Sequence, residues 1–276
     1  MERGFFMPKN RKQIRSKSNA GQHFLHNKRL IHQIISIANI QPNETTIDIG
    51  AGLGAFSLPL AEKANRVIAV ENDPQLFEKL STKTKEKTNI SVVHQDFLQF
   101  SLPRHPYVVV ANIPYSITTS ILHKLLHIPS NCLDRAVLII EKGPAKRFTK
   151  KIHTNPNILK WRMCFEFKIG QTIGPENFSP PPRVDSVVFS INRRIKPMIP
   201  AAEHHRFWSL ASYALKYPNL PVSEALLGVF TSPQITRLLR TLKIDRNSTI
   251  CSINEQQWAT IFQTMTRYVP SYRWPK

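Results

Sequence analysis

The segment Asn112-Ile113-Pro114-Tyr115 combines residue types that are unusual at the end of a buried strand. It follows the β-branched run from Val108 to Val110. Proline cannot donate a hydrogen bond to a sheet, so the strand predicted for the valines ends here. Beyond the strand, the chain forms a rigid loop that carries a side-chain carbonyl and a flat ring. In α/β proteins ligands bind at the carboxyl ends of strands, and this loop is therefore a candidate site.

The chemistry that suits this loop is attack by a nucleobase amino group on a methyl group. The exocyclic nitrogen of adenine is a poor nucleophile because its lone pair is delocalised into the ring. Two acceptors aimed at its protons, the Asn112 side chain and the carbonyl of Ile113 or Pro114, stabilise the positive charge that develops. Tyr115 offers a face on which an extruded base stacks. The alternative is a turn whose tyrosine packs into the core.

A glycine-rich turn lies upstream, in the string DIGAGLGAF, with glycines at Gly50, Gly52 and Gly54. It connects a predicted strand to a predicted helix, where glycine permits positive φ and a close approach to a ligand. Glu71 ends the second predicted strand and can accept both hydroxyls of a ribose. Asp96 ends the third and can meet an adenine amino group. The turn alone could be structural, but two acids at consecutive strand ends favour a nucleotide-like ligand.

The glycine spacing bears on which ligand that is. A dinucleotide site usually has the spacing G-x-G-x-x-G, whereas this turn has G-x-G-x-G and Ala55 follows it. S-adenosylmethionine carries no phosphate and needs recognition of ribose, adenine and an amino acid. That ligand suits the pattern better, although spacing alone does not decide between the two.

A second aromatic residue, Phe178, precedes the proline run in the string ENFSPPPRVDS. The prolines at 180–182 make a stiff segment that could hold Phe178 over the other face of a bound base. A rigid connection between strands, with Phe178 buried, is an equal alternative.

Periodicity predicts the elements that position these residues. After a helix near residues 28–40, strands and helical segments alternate to about residue 194, which indicates a mostly parallel sheet. Four amphipathic helical patterns follow. Ser232 is the predicted cap of the third, and Asn254 with Gln257 predicts a capping box at the start of the fourth. The predicted organisation is a basic arm at 1–20, a catalytic domain at 21–194 and a small helical domain at 195–276.

Composition predicts a polyanionic partner. The chain of 276 residues has 38 Lys and Arg against 18 Asp and Glu, a net charge of +20, which favours nucleic acid over a membrane. No apolar run is long enough to span a bilayer. The cations expected to contact RNA are in the arm and on a predicted helix, where a solvated face is the alternative: Arg11, Lys12, Arg15, Lys17, Arg237 and Arg240.

The cysteines indicate a reducing, cytoplasmic environment. Cys132, Cys164 and Cys251 are widely spaced and odd in number, and they do not form a metal-binding pair. The sequence predicts no metal site, and we expect a monomer.

Taken together, the motifs resemble those of the ribosomal RNA adenine N6-dimethyltransferases, and among them the erythromycin-resistance (Erm) methyltransferases. The matching strings are SNAGQHFLHN, DIGAGLG, VENDP, HQDFL, NIPYSITT and FSPPPRVDS, in that order. EKGPAKRF, KWRM and the basic tail extend the likeness to almost the full length.

The resemblance implies a doubly wound, seven-stranded class I methyltransferase (Rossmann-like) core followed by a small all-α domain. It implies transfer of one and then a second methyl group from S-adenosylmethionine to one adenine of 23S ribosomal RNA, which blocks macrolide, lincosamide and streptogramin B antibiotics. It also implies two sets of site residues. The cofactor contacts are Gln22, His23, Leu25, Gly50 with its loop, Glu71, Asp96 and Asn112; the target-base pocket is Asn112, Tyr115 and Phe178. His23 replaces an asparagine common in the family.

Two other functions are compatible with the same motifs. One is a housekeeping 16S ribosomal RNA adenine dimethyltransferase, which shares fold, cofactor and pocket. NIPY in place of NLPY, and the tail sequence, favour the resistance branch. The other is a non-catalytic RNA- or DNA-binding protein on the same scaffold, against which the intact pocket at 112–115 argues.

Overall fold

A computed structural model describes residues 22–127 and 132–276 of the chain. Strands of the described residues are β1 Phe24–Leu25, β2 Thr45–Ile49, β3 Arg66–Glu71, β4 Ile90–His94, β5 Tyr107–Asn112, β6 Leu133–Glu141, β7 Phe165–Ile173, β8 Phe178–Ser179 and β9 Ser186–Arg193. Helices are α1 Lys28–Ala38, α2 Ser57–Ala61, α3 Pro74–Thr84, α4 Thr118–Leu125, α5 Lys142–Thr149, α6 Pro156–Cys164, α7 His204–Ala214, α8 Val222–Ala225, α9 Ser232–Leu242 and α10 Glu255–Tyr268.

Seven of the described strands form one mixed sheet in the order β4-β3-β2-β5-β6-β9-β7. The first five are parallel, and β9 lies antiparallel between β6 and β7. The carboxyl ends of β2, β3, β4 and β5 therefore meet at one edge, with the reversal of strand order between β2 and β5. That is where open α/β sheets bind their ligands.

Both faces of the sheet are covered, which makes the fold doubly wound. Alternate residues of β5 point to opposite sides: Val108 and Val110 pack with α1 and α2, whereas Val109 and Ala111 pack with α4 and α5. Because both faces of β5 are buried, its sequence is a continuous apolar run rather than an alternation of apolar and polar residues. The predicted doubly wound core is confirmed.

The C-terminal helices build a second hydrophobic core around Trp258, Phe207 and Phe262. It is shared with α6, since Leu159 and Met163 belong to it whereas Trp161 on the same helix packs against the sheet. The helical C-terminal region is confirmed. The division at residue 194 stays a prediction.

Two local predictions need correction. The cap of α9 is Thr231 rather than Ser232, because the Thr231 backbone N–H donates to Oε1 of Gln234 at 2.9 Å and closes a capping box. Asp96 lies beyond the end of β4 rather than at its last residue. Its Oδ1 accepts the backbone N–H of Leu98 at 2.9 Å, which turns the chain away from the sheet.

A substitution at Gly54 tests how tightly the glycine turn is packed. The φ of Gly54 is +84°, and an added Cβ would lie 2.7 Å from Cδ1 of Leu80. We expect Gly54→Ala to lower the free energy of unfolding by about 1–3 kcal/mol. Gly143→Ala is the control, because Gly143 lies in α5 with no atom within 4 Å of the added Cβ. Urea unfolding of both variants checks this, and equal effects would contradict the assigned packing.

Candidate active site

A cavity opens at the carboxyl edge of the parallel strands. Its walls come from the segment before β1, the glycine turn, the ends of β3 and β5, and the loops that follow β4 and β5. It is lined by Gln22, His23, Phe24, Ile49, Gly50, Val70, Glu71, Asn72, Gln95, Asp96, Phe97, Asn112, Ile113, Pro114, Tyr115, Ser116 and Ile117. Separate stretches of sequence thus converge on one site.

Glu71 joins the end of β3 to the glycine turn. Its side chain is 4% exposed. Oε2 accepts the backbone N–H of Gly52 at 2.7 Å, and Oε1 accepts that of Asp73 at 2.8 Å. Each carboxylate oxygen retains a further acceptor position, so a ligand with two adjacent hydroxyls can still be bound.

The three glycines of the turn have different environments. Their φ angles are +66°, +55° and +84° for Gly50, Gly52 and Gly54. Only Gly50 lines the cavity; an added Cβ on Gly52 would lie 3.0 Å from the ring of Phe24. Gly52 and Gly54 shape the turn, and the cofactor contacts predicted for the three glycines stay a prediction.

Asp48 lies in β2, just before the glycine turn. Sequence reasoning gave this residue no role. It is 2% exposed, and its Oδ2 accepts the hydroxyl of Ser57 at 2.6 Å. Burial raises the pKa of Asp48 to about 7, the Ser57 hydrogen bond opposes that rise, and Glu71 adds to it. An acid inside the apolar string TTIDIG was the available signal.

Asn112 is the last residue of β5 and one of the residues that line the cavity. Nδ2 donates to the backbone carbonyl of His23 at 2.7 Å. This bond fixes the orientation of the amide, because a carbonyl can only accept. Oδ1 is buried and has no hydrogen-bond partner among the described residues.

Tyr115 follows in a one-turn helix and is half-buried. Its hydroxyl bonds to Oγ of Ser186, the first residue of β9. Burial raises the pKa of Tyr115, so the phenol stays protonated. The ring of His23 lies 5.4 Å from that of Tyr115 at an interplanar angle of 33°.

A strap formed by β1 and β8 covers one side of the cavity. Leu25 pairs with Phe178, and Nδ1 of His23 lies 2.7 Å from the carbonyl oxygen of Pro180. Leu25 and Phe178 are 4% and 3% exposed and pack in the core against the sheet. Neither lines the cavity, whereas Gln22 and His23 do. The assignment of Phe178 to the target-base pocket stays a prediction.

The residues predicted to contact RNA are only partly described. Arg11, Lys12, Arg15 and Lys17 lie outside the described residues. Arg237 and Arg240 are exposed on α9. Sequence reasoning gave no role to α5, whose outer side and following turn carry exposed cations, namely Lys146, Arg147, Lys150 and Lys151. Arg147 and Lys150 share a cleft with Thr119 of α4, the helix that follows the Tyr115 turn.

The charge of the cavity distinguishes between the two nucleotide-like ligands. Two carboxylates, Glu71 and Asp96, line it, and none of the described residues that line it is Lys or Arg. A pyrophosphate is disfavoured beside two acids, whereas a cationic sulfonium is favoured. Within the described residues there is no group of three metal-binding side chains, and no helix is long and apolar enough to cross a membrane.

The sheet order, the glycine turn after β2 and the acid at the end of β3 define a class I methyltransferase fold. Comparison with known proteins gives the family: residues 13–267 match the model described as "Ribosomal RNA adenine dimethylase". The chain belongs to this family.

Relatives agree with the family. Two proteins named rRNA adenine N-6-methyltransferase, from Bacillus licheniformis and Bacillus anthracis, are 44% and 43% identical over 93% of this chain and 90% of theirs. The solved structure of the 23S rRNA methyltransferase ErmE has a TM-score of 0.79 at 24% identity, over 88% of this chain and 100% of that one. The chain is therefore similar in fold to ErmE.

Family membership makes this chain an rRNA adenine N6-methyltransferase with S-adenosylmethionine as cofactor. The site fits that cofactor. It offers two carboxylates to a cation, a glycine turn open at Gly50, and one buried oxygen, on Asn112, without a partner among the described residues.

Asp48 makes stability depend on pH. Its pKa is about 7 in the folded chain against 3.8 as the ordinary value. The unfolded chain therefore loses the proton first, and the free energy of unfolding falls as pH rises from about 4 to 7. We expect this decrease in the free energy of unfolding to be about 2–4 kcal/mol in the wild-type protein and to be absent in Asp48→Asn. Urea unfolding of both proteins at pH 5 and pH 8 checks this, and the same pH slope in the variant would contradict the buried carboxyl.

Glu71 has two roles that two variants separate. Glu71→Gln keeps an oxygen for one backbone N–H, whereas Glu71→Ala leaves the N–H groups of Gly52 and Asp73 without an acceptor. We expect both to weaken S-adenosylmethionine binding at least about tenfold. The alanine variant leaves two N–H groups without an acceptor and the glutamine variant leaves one, so we expect the alanine variant to lose more stability, about 1–3 kcal/mol. Calorimetric titration and urea unfolding measure the two effects. If Glu71→Ala bound the cofactor with wild-type affinity, the assignment of Glu71 to the cofactor site would be wrong.

Proposed function

We propose that the chain methylates N6 of one adenine in 23S ribosomal RNA, once and then a second time, and so confers resistance to macrolide, lincosamide and streptogramin B antibiotics. The ribose of the cofactor binds Glu71, the adenine lies by Asp96, and the methionine end reaches Gln22 and His23. The observation that carries the proposal is the unpartnered Oδ1 of Asn112, a residue that lines the same cavity as Tyr115.

The unpartnered oxygen is an acceptor for the target amine. A buried polar atom without a hydrogen bond costs about 1–3 kcal/mol, and such atoms in folded proteins call for an explanation. The target amine explains it, because it brings two N–H donors. As the nitrogen attacks the methyl group of the cofactor, the oxygen attracts the charge that develops.

The second acceptor is the main-chain carbonyl of Ile113. The carbonyl of Pro114 already accepts the backbone N–H of Ile117 and the hydroxyl of Thr118, both at 3.3 Å. The carbonyl oxygen of Ile113 accepts no hydrogen bond from the described residues. Oδ1 of Asn112 and the carbonyl oxygen of Ile113 belong to consecutive residues of one rigid loop, and each can accept one of the two N–H groups of the target amine. After one methyl transfer a single N–H remains, and one acceptor suffices to hold it for the second.

The choice of 23S RNA rests on the motifs and not on the fold. The dimethyladenosine transferase from Plasmodium falciparum has a TM-score of 0.74 with this chain at 18% identity, close to the score for ErmE. Both solved structures support the same architecture. NIPY and the tail sequence support the resistance branch, and the intact pocket argues against a purely RNA-binding role.

We assign the RNA-binding surface to the basic arm and to the cleft beside α5. Arg147 and Lys150 lie near the turn that carries Tyr115, so phosphates bound there would keep the RNA beside the cavity. Arg237 and Arg240 add to the same attraction at longer range. The substrate places the enzyme in the cytoplasm, where we expect it to act as a monomer.

Primer extension on ribosomal RNA tests the target. An adenine with two methyl groups on N6 has no N–H left for pairing and stops reverse transcriptase. In bacteria that make this protein we expect one new stop in 23S RNA, together with growth on a macrolide. Cells that make Asn112→Ala are the control and should show neither. A stop in 16S RNA would assign the housekeeping function instead.

Asn112 variants test the acceptor itself. Asn112→Ala removes the oxygen. We expect kcat for methyl transfer to fall about 100- to 1000-fold, because the loss of one oriented hydrogen bond in a transition state has an effect of this size. Asn112→Asp keeps an oxygen but cannot donate to the carbonyl of His23, so an intermediate rate is expected. Single-turnover transfer of labelled methyl to protein-free 23S RNA measures this. A wild-type rate in Asn112→Ala would contradict the role.

A further inference from the structure

We propose that Ser186 is a positioning residue for methyl transfer, which fixes the ring of Tyr115 in the target-base pocket. This inference rests on the proposed function and deepens it. Ser186 belongs to the string FSPPPRVDS, in which sequence alone indicates no role for the serine.

Ser186 is held more rigidly than Tyr115. It is 0% exposed and begins β9, where it pairs with Glu141 of β6 on one side and Ile173 of β7 on the other. Its hydroxyl oxygen therefore has a place fixed by three hydrogen-bonded strands.

Tyr115 lies instead in a single turn outside the sheet. The turn begins after Pro114 and leads into α4, and the tyrosine is half-buried. Among the described residues, two contacts orient its ring: the hydroxyl bonds to Oγ of Ser186, and the ring of His23 lies 5.4 Å away. The hydrogen bond is the directional contact of the two, so it sets the tilt of the ring.

The bond also accounts for a tyrosine at this position. A stacked base needs only the face of a ring, which phenylalanine provides equally. Proton transfer by the phenol is disfavoured, since burial raises the pKa of Tyr115; the Ser186 hydrogen bond opposes this rise only in part, and Glu141 adds to it. The hydroxyl is thus an anchor to the sheet. Because the nitrogen of the base must lie in line with the methyl group, a tilt of the platform lowers the rate without loss of cofactor.

A double-mutant cycle tests this anchor. The variants are Ser186→Ala, Tyr115→Phe and the combination of both, with Ser190→Ala as a matched control on the same strand. The assay is methyl transfer from labelled S-adenosylmethionine to protein-free 23S RNA, with kcat and the KM for the cofactor measured separately. The environment of the hydroxyl is followed by the NMR signal of 13C-labelled tyrosine, assigned through Tyr115→Phe.

If Ser186 acts through Tyr115, each single variant lowers kcat about five- to tenfold, the size expected for one hydrogen bond. The double variant is no slower than Tyr115→Phe, the KM for the cofactor is unchanged, and Ser186→Ala shifts the Tyr115 signal. Ser190→Ala behaves as wild type in every measurement.

Other outcomes overturn the inference. It is wrong if Ser186→Ala transfers methyl at the wild-type rate, if the two single effects multiply in the double variant, or if the Tyr115 signal does not move. Failure of the wild-type protein to methylate the RNA is a different result, because it overturns the proposed function and the inference with it.

Discussion

The site depends on the hydrogen bond from Nδ2 of Asn112 to the backbone carbonyl of His23. This bond connects the end of β5 to the segment that leads into β1, two parts of the chain 89 residues apart. It satisfies the donor side of the amide within the protein and leaves Oδ1 buried, without a hydrogen-bond partner among the described residues. This contact ties the end of β5 to the segment before the strap and fixes which end of the amide is left without a partner.

The cavity and the surface around α5 carry charges of opposite sign. The chain carries a net charge of +20, yet Glu71 and Asp96 line the cavity and no Lys or Arg of the described residues does. Cations on α5 lie outside it, where an RNA backbone can reach them. A polyanion is therefore attracted to the protein but not into the cofactor cavity, which remains suited to a cationic sulfonium.

The sequence predicted two of the site's three strand-end residues, and the third, Asp96, lies beyond the end of β4. Asn112 and Glu71 are each the last residue of a parallel strand, and the carboxyl ends of such strands must meet at one edge of the sheet. Asn254 and Gln257 likewise form the predicted capping box, because a cap depends on neighbours only three residues apart.

Features set by contacts distant in sequence were not predictable. Helix α6 shows no apolar stripe, because Trp161 is buried against the sheet and Met163 against the C-terminal helices. Pairing of Leu25 with Phe178 leaves the phenylalanine in the core, and no local pattern specifies that partner. The orientation of the Asn112 amide depends in the same way on a carbonyl from another segment.

The central claim is that Oδ1 of Asn112 accepts a hydrogen bond from the amine to be methylated. The most direct measurement is a crystal structure of the protein with a non-reactive cofactor analogue and an RNA fragment that contains the target adenine. The expected result is N6 within about 3.2 Å of Oδ1, in line with the position of the transferred methyl, with the base against the ring of Tyr115. An adenine that remains stacked in its RNA, or a pocket filled by the protein's own side chains with Oδ1 paired to one of them, would contradict it.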